Sequence, residues 1–405
     1  MSLTAKIFKL EGKVQHYAWG GNRFIPALLG MSNDNNQPFA EYWMGAHHNV
    51  PSLVVLPDGS RKPLNELISA DPKAVLGEAV YDRFGRLPYL LKVLDVKDML
   101  SIQVHPNKKD AEAEFAAENK KGIALNDPKR NYKDDNHKPE LMLALGDFWL
   151  LHGFKEEGAL KKILNSTPEL QFLLPVFEKE GYEGLYKTVM TMDQQHVNQH
   201  LQPLLDRIIP LYEKGELQKN QEDFWAARAA LTFKQPGAID RGIFSVYFFN
   251  LVDLRPGEAV FQDANLPHAY LEGQNMEIMA NSDNVLRGGL TVKHIDVPEL
   301  MKHVKFEPTI PKIITGQGGV EKVLKTPADD FELREIMLDK TKSLELDTPT
   351  AEIYFVYQGA VQATDGPATL TLKSGESMLV VAGAHFTLQT DTDTVIYKAT
   401  VPLDN

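Results

Sequence analysis

The chain has 405 residues, more than a single core usually organises, so two or three domains with ample buried area are expected. Apolar residues at 43% and charged residues at 24% exclude a largely disordered or fibrous chain. The formal charge is -12 with no visible basic patch, which removes any general electrostatic reason to bind nucleic acid or an anionic membrane. With no Cys, disulfides, thiolate metal sites and cysteine nucleophiles are excluded together.

In chain order, Met1 to Leu10 holds two Lys and no continuous apolar run, so it reads as neither a secretory signal nor an anchor. Phe148 to Leu151 and Ile243 to Leu251 are too short to span a bilayer; a cytoplasmic protein is expected. Over the first 150 residues, short apolar runs such as Leu53 to Leu56 and Leu90 to Leu94 end at Pro, Gly or Asp and read as strands. From about Lys155 the texture changes. Leu160, Ile163 and Leu164, then Leu201, Leu204, Leu205, Ile208 and Ile209, recur at spacings of three and four, which predicts amphipathic helices. Strand texture returns at Ile243 to Leu254 and continues through Val260 and Phe261. Beyond Pro311, Ala351 to Tyr357, Thr369 to Leu372, Met378 to Val381 and Thr394 to Tyr397 are separated by Gly359, Gly366 and Gly375. That spacing predicts a second β unit, a sandwich or small barrel. The boundaries fall at 1–154 and 233–310 for a divided first β domain, 155–232 for a helical insertion and 311–405 for the second β unit.

Four segments can carry chemistry. In LSIQVHPNK, Gln103 and His105 are two apart on a predicted strand and point to one face; a polar patch at a strand end explains them equally well. In NYKDDNHKPELML, His137, Lys138 and Glu140 precede an apolar run, and Pro139 biases Lys138 toward extended backbone; a solvated loop entering a strand would look the same. In RPGEAVFQDANLPHAYLEG, a polar turn leads to Pro267 and His268, where a single packed or capping His is the ordinary case. Taken together, one amide oxygen, two imidazoles and one carboxylate make a four-ligand set suited to a divalent metal. A neutral Gln leaves the ion a net positive field, which favours Lewis-acid work on a sugar oxygen. In MEIMANSDNVLRGGLTVKHID, Gly288 and Gly289 allow close backbone approach. Arg287 and Lys293 are suited to clamp a phosphate or an oxyanion, although Asp283 and Arg287, four apart, could equally be a helix salt bridge.

The segments QHYAWGG (Gln15 to Gly21), AEYWMGAHHNVPS (Ala40 to Ser52), SIQVHP, NHKPEL, DANLPHAY and MANSDNVLRGGLT together resemble type I phosphomannose isomerases, and the resemblance covers most of the chain. It implies a mainly β fold of two cupin-type, jelly-roll-like barrels with an inserted α-helical domain. It implies one Zn²⁺ per chain on Gln103, His105, Glu140 and His268, and Arg287 as the catalytic arginine with Asp283 and Lys138 beside it. Glu277, Asp283 and His137 are the candidate bases; Ser101, Lys138, Lys293 and Tyr270 are the candidate substrate or phosphate contacts. Asp263 stands where the family opens its turn with glycine, and Asp tolerates left-handed backbone angles better than most residues. The C-terminal unit has only His385 near a comparable turn, resembles the family's degenerate second cupin, and is expected to hold no metal and to serve in packing.

The implied activity is interconversion of mannose 6-phosphate and fructose 6-phosphate by a monomer. A proton moves between C2 and C1 through an enediol(ate) that needs a cation and a base. The competing reading is a non-catalytic sugar-binding cupin or a metal dioxygenase; a redox iron site would normally leave coordination positions open, whereas Gln103 fills one here.

Overall fold

The computed structural model describes residues 5–403. Strand residues outnumber helical ones, and every named strand pairing is antiparallel. The described strands form sheets of eleven, nine and four strands.

The longest strand, His268–Ala280, organises the first unit. It pairs with Tyr89–Val96, Glu140–Ala144 and Phe148–Phe154, and at its first residue with Gln103. A 13-residue strand is long enough to serve two neighbours on each side in succession, so segments remote in sequence begin at one edge. Tyr89–Val96 is buried at every position, and Tyr89, Leu91 and Val93 on one face join Met276, Ile278 and Leu141 in a common core.

Two sequence expectations change here. First, the N-terminal segment does not lie wholly within the first unit. Ile7–Glu11 pairs with Ser377–Val380 on one side and with Leu53–Val55 on the other, joining the nine-stranded sheet of the C-terminal unit. One core accordingly holds Phe8 and Tyr89 together with Phe331, Ile353 and Ala399. Strand partners remote in sequence are not encoded by local pattern.

Second, the expected strand from Ile243 begins as a helix, Gly242–Phe248, and becomes strand only at Phe249–Leu254. All seven helical residues are buried. A helix apolar on every side has no period to distinguish it from a buried strand. The helical block therefore runs past residue 232, through Glu157–Ser166, Leu174–Thr191, Gln194–Glu213, Glu222–Thr232 and this last helix. Its amphipathic faces meet in one core with Ile102, Val104 and Leu286, so it packs directly behind the segments carrying Gln103 and Arg287. Among the described residues, no helix is long and apolar enough to cross a membrane.

Candidate active site

His105, Glu140 and His268 converge at the edge where the long strand begins, with one ligand atom of each within 4.8 Å of the others. His105 follows the short strand Gln103–Val104, Glu140 opens Glu140–Ala144, and His268 opens its own strand. His105 Nδ1 lies 2.9 Å from the Asn284 carbonyl, and His268 Nδ1 lies 2.9 Å from the Leu266 carbonyl. Both Nδ1 atoms therefore carry the proton and donate, which turns both Nε2 lone pairs inward. Those Nε2 atoms stand 3.5 and 3.4 Å from the two Glu140 oxygens. These distances are long for hydrogen bonds. They match the roughly 3.4 Å between neighbouring ligands that sit about 2.1 Å from a tetrahedral metal ion.

The buried His105 Nε2 has no hydrogen-bond partner among the described residues, and a buried lone pair left unmatched calls for an explanation. Two imidazoles, a carboxylate and the neighbouring Gln103 amide fit a divalent metal. Burial pushes the His105 imidazole down to about 4, helped by the Lys138 charge, so it is neutral and able to ligate at pH 7. Burial alone would raise Glu140, but Lys138 and His105 outweigh it and hold the carboxyl well below its usual range. Lys138 Nζ lies 3.1 Å from Glu140 Oε1.

The turn before His268 forms, though not as expected. The left-handed residue is Asn265, with φ of 66°; Asp263 instead accepts the Ala264 amide at 2.7 Å. The Asn265 amide also donates to the His105 carbonyl at 2.8 Å, so the turn ties two of the converging histidines to each other.

Beside the triad an inner recess of about 50 Å³ is lined by Ser101, Gln103, Lys138, Glu140, His268, Tyr270 and Glu277. It adjoins a wider mouth of about 650 Å³ along Glu41, Leu100, Ser101 and Gln103, which line both. Arg287, Lys293, Tyr17 and Trp19 line the mouth. Arg287 does not sit on a helix. Leu286–Arg287 is a two-residue strand in which Arg287 pairs with Gln103, so the i, i+4 salt bridge with Asp283 is not formed. Asp283 takes His47 as its partner, Nε2 to Oδ2 at 3.1 Å, and despite burial this hydrogen bond lowers its carboxyl.

Arg287 is half-buried, and burial lowers its guanidinium. It has no ion-pair partner among the described residues. A charged group in that position is an anion site in waiting. Gly288 and Gly289 hold it there: a Cβ on Gly289 would strike the Gly242 backbone, and one on Gly288 would meet the Tyr186 hydroxyl at 2.6 Å.

Like Asp283, which lines neither part of the cleft, His137 turns elsewhere. Its Nε2 lies 2.8 Å from Asp330 Oδ2 of the C-terminal unit, and it lines neither part of the cleft. Glu277 does line the recess, but Tyr270 donates to its Oε2 at 2.7 Å and Lys92 Nζ stands 3.3 Å from its Oε1. Burial and the Glu140 charge raise the Glu277 carboxyl.

Sequence reasoning passed over Lys92, Glu41 and Asn284. Lys92 is 6% exposed and lies 3.5 Å from Glu41 as well as near Glu277. The signal was present: a single Lys inside the run YLLKVLDV has to be buried with a charged partner. Asn284, fully buried, donates to the carbonyls of Asp134 and Asn136 at 2.8 and 2.9 Å while its own carbonyl fixes His105.

Comparison with known proteins points to one family. The family described as phosphomannose isomerase type I, catalytic domain, matches residues 7–157. A mannose-6-phosphate isomerase of Salmonella typhimurium is 39% identical over 383 residues, 92% of this chain and 94% of its own. The human mannose-6-phosphate isomerase is 33% identical over 435 residues, 97% and 98% of the two chains. A crystal structure of a zinc-bound mannose 6-phosphate isomerase superposes with a TM-score of 0.88 at 35% identity, over 98% of this chain and all of the other. The chain belongs to the type I mannose-6-phosphate isomerase family.

Proposed function

We propose that the protein is a zinc-dependent aldose-ketose isomerase that interconverts mannose 6-phosphate and fructose 6-phosphate through a cis-enediol(ate). We assign it two cupin-type barrels, of which only the first is catalytic. The observation that carries the reading is that Glu140, with the buried His105 Nε2 behind it, lines the recess while Arg287 lines its mouth, and neither Nε2 nor the guanidinium has a partner among the described residues.

Gln103, His105, Glu140 and His268 would hold one Zn²⁺, which supplies a Lewis acid beside the sugar oxygens when bound. Arg287 stands across the mouth and compensates negative charge as it grows on the substrate oxygen. Glu277 is the base assigned to move the proton between C2 and C1: of Glu277, Asp283 and His137 it alone lines the recess, and its raised carboxyl lies nearer the range a general base needs. Lys138 donates to the same oxygens from the recess wall. Lys293 and Ser101, at the mouth, are the phosphate contacts, and Tyr270 fixes Glu277. Phosphate binding at the mouth orients the sugar toward the recess.

A coupled isomerase assay tests the reading. Turnover of mannose 6-phosphate should vanish with a chelator and return with Zn²⁺, while mannose without phosphate is a poor substrate. Equal efficiency on the two sugars would point to an isomerase of different scope, and absent turnover to a binding protein.

A further inference from the structure

We infer that Asp330, in the C-terminal β unit, is a positioning residue for the reaction, acting through His137 on the loop that carries Lys138 and leads to Glu140. The inference rests on the isomerase reading above. Residues 131–139 form neither helix nor strand, so side-chain contacts decide where this loop sits.

Its first half is tied inward: Asp134 Oδ2 accepts the Asp283 amide at 2.7 Å, and Asn284 donates to the Asn136 carbonyl at 2.9 Å. Its end is tied by the Ala280 amide, which donates to the Pro139 carbonyl at 3.1 Å. Between these anchors lie His137 and Lys138. The His137 hydrogen bond to Asp330, at 2.8 Å, is the tether that reaches from this stretch to the C-terminal unit.

The far end of the tether is buried. Asp330 is 4% exposed and lies between Ala328 and Phe331, which are buried in the core shared with Leu87, Tyr89 and Leu141. Its carboxylate has no other hydrogen-bond or ion-pair partner among the described residues. A carboxylate buried so deeply for one imidazole is costly to place, and the imidazole it holds is three residues from Glu140. The neighbouring Asp329 supplies an internal control. It also bridges the units, pairing with Arg83 at 2.6 Å, but that pair is exposed and reaches the helix Glu78–Phe84, not the catalytic loop.

Asp330→Ala should lower kcat about tenfold, since a displacement near 1 Å in a catalytic group can reach 100-fold. KM for mannose 6-phosphate should change less than twofold and zinc content should stay at one per chain. Asp330→Asn still accepts from His137 and should recover most of the rate; Asp329→Ala should be normal. In cobalt-substituted protein the visible band, which reports metal geometry at Glu140, should shift in Asp330→Ala and not in Asp330→Asn or Asp329→Ala. Without any wild-type turnover the isomerase reading fails, and the cobalt band still tests the tether. If Asp330→Ala does not fold, His137→Ala breaks the same contact from its more exposed side and should give the same tenfold loss. An unshifted band with kcat within twofold of wild type overturns the inference. So does an Asp330→Asn rate as low as that of Asp330→Ala, or a loss near 1,000-fold in His137→Ala, which would make His137 itself the proton carrier.

Discussion

The two β units each bury a lysine between two glutamates, yet only in the first does a histidine line the same recess. In the first, Lys92 faces Glu41 and Glu277 at 3.5 and 3.3 Å, Tyr270 donates to Glu277, and the ammonium lies 5.1 Å from the Trp43 ring centre. In the C-terminal unit, Lys398 faces Glu321 and Glu352 at 2.7 and 3.5 Å, Tyr354 donates to Glu352 at 2.5 Å, and the ammonium lies 5.7 Å from that tyrosine's ring centre. Burial raises both Glu277 and Glu352. The second unit even has its own cavity of about 450 Å³ beside Lys398, but no imidazole lines it; His385 sits on the surface, 2.8 Å from Asp347. A matched lysine and glutamate network does not by itself mark a reactive site. What distinguishes the first unit is that polar atoms beside the network are left unmatched, at His105 Nε2 and Arg287, for a metal and an anion to satisfy.

Removing the unmatched set should have the largest effect. Glu140→Ala should lose zinc and all measurable isomerase activity, with a lower thermal midpoint as the bound-metal contribution disappears; His268→Ala should behave alike. Elemental analysis showing full metal in either variant would remove that residue from the site. Next come the two lysines. Lys92→Met and Lys398→Met each leave buried carboxylates uncompensated, and each should lose about 3 kcal/mol or more in denaturant unfolding. Only Lys92→Met should also slow turnover in the protein that remains folded; equal kinetic damage from Lys398→Met would erase the distinction drawn here.

Arg287→Ala should keep zinc and fold while kcat falls about 100-fold to 1,000-fold, the usual consequence of deleting one oxyanion-stabilising donor. A near-normal kcat would return Arg287 to a structural role. The smallest effect is on acid stability. His152, buried behind the site with Nδ1 2.9 Å from Gln262 Oε1, is pushed down by burial to about 4 from 6.5. The unfolded chain takes up that proton first, so the stability from neutral His152 is complete above pH 6.5 and drains away as pH falls toward 4. It amounts to about 3 kcal/mol at most. The exposed His385 offers the C-terminal unit nothing comparable, so tryptophan and proteolytic probes should show the first unit loosening first; simultaneous loss would contradict this.

Much of the site was legible in the sequence because its parts are short and locally marked. Gln-x-His on one strand face, a carboxylate after Lys-Pro and a His after a polar turn each combine a ligand type with a backbone device. Lys92 was equally visible inside its apolar run, but a charge hidden in a strand names no partner. The helix at Gly242–Phe248 was not legible, because an all-apolar segment carries no period. Nor was the role of His137, since nothing near it in sequence points to Asp330, almost two hundred residues away.

The amino-acid order by itself determined which side chains could ligate a metal, that amphipathic helices fill the stretch after Lys155, and that a second β unit follows without a comparable ligand set. Only the tertiary structure decided that the N-terminal strand completes the C-terminal sheet, that Asp283 serves His47 and leaves Arg287 free, and that His137 faces away from the cleft. The physical reason is range. Backbone conformation and side-chain periodicity act over a few residues and are written locally. The choice of partner for a buried charge or a sheet edge depends on which distant groups the closed core brings within about 4 Å.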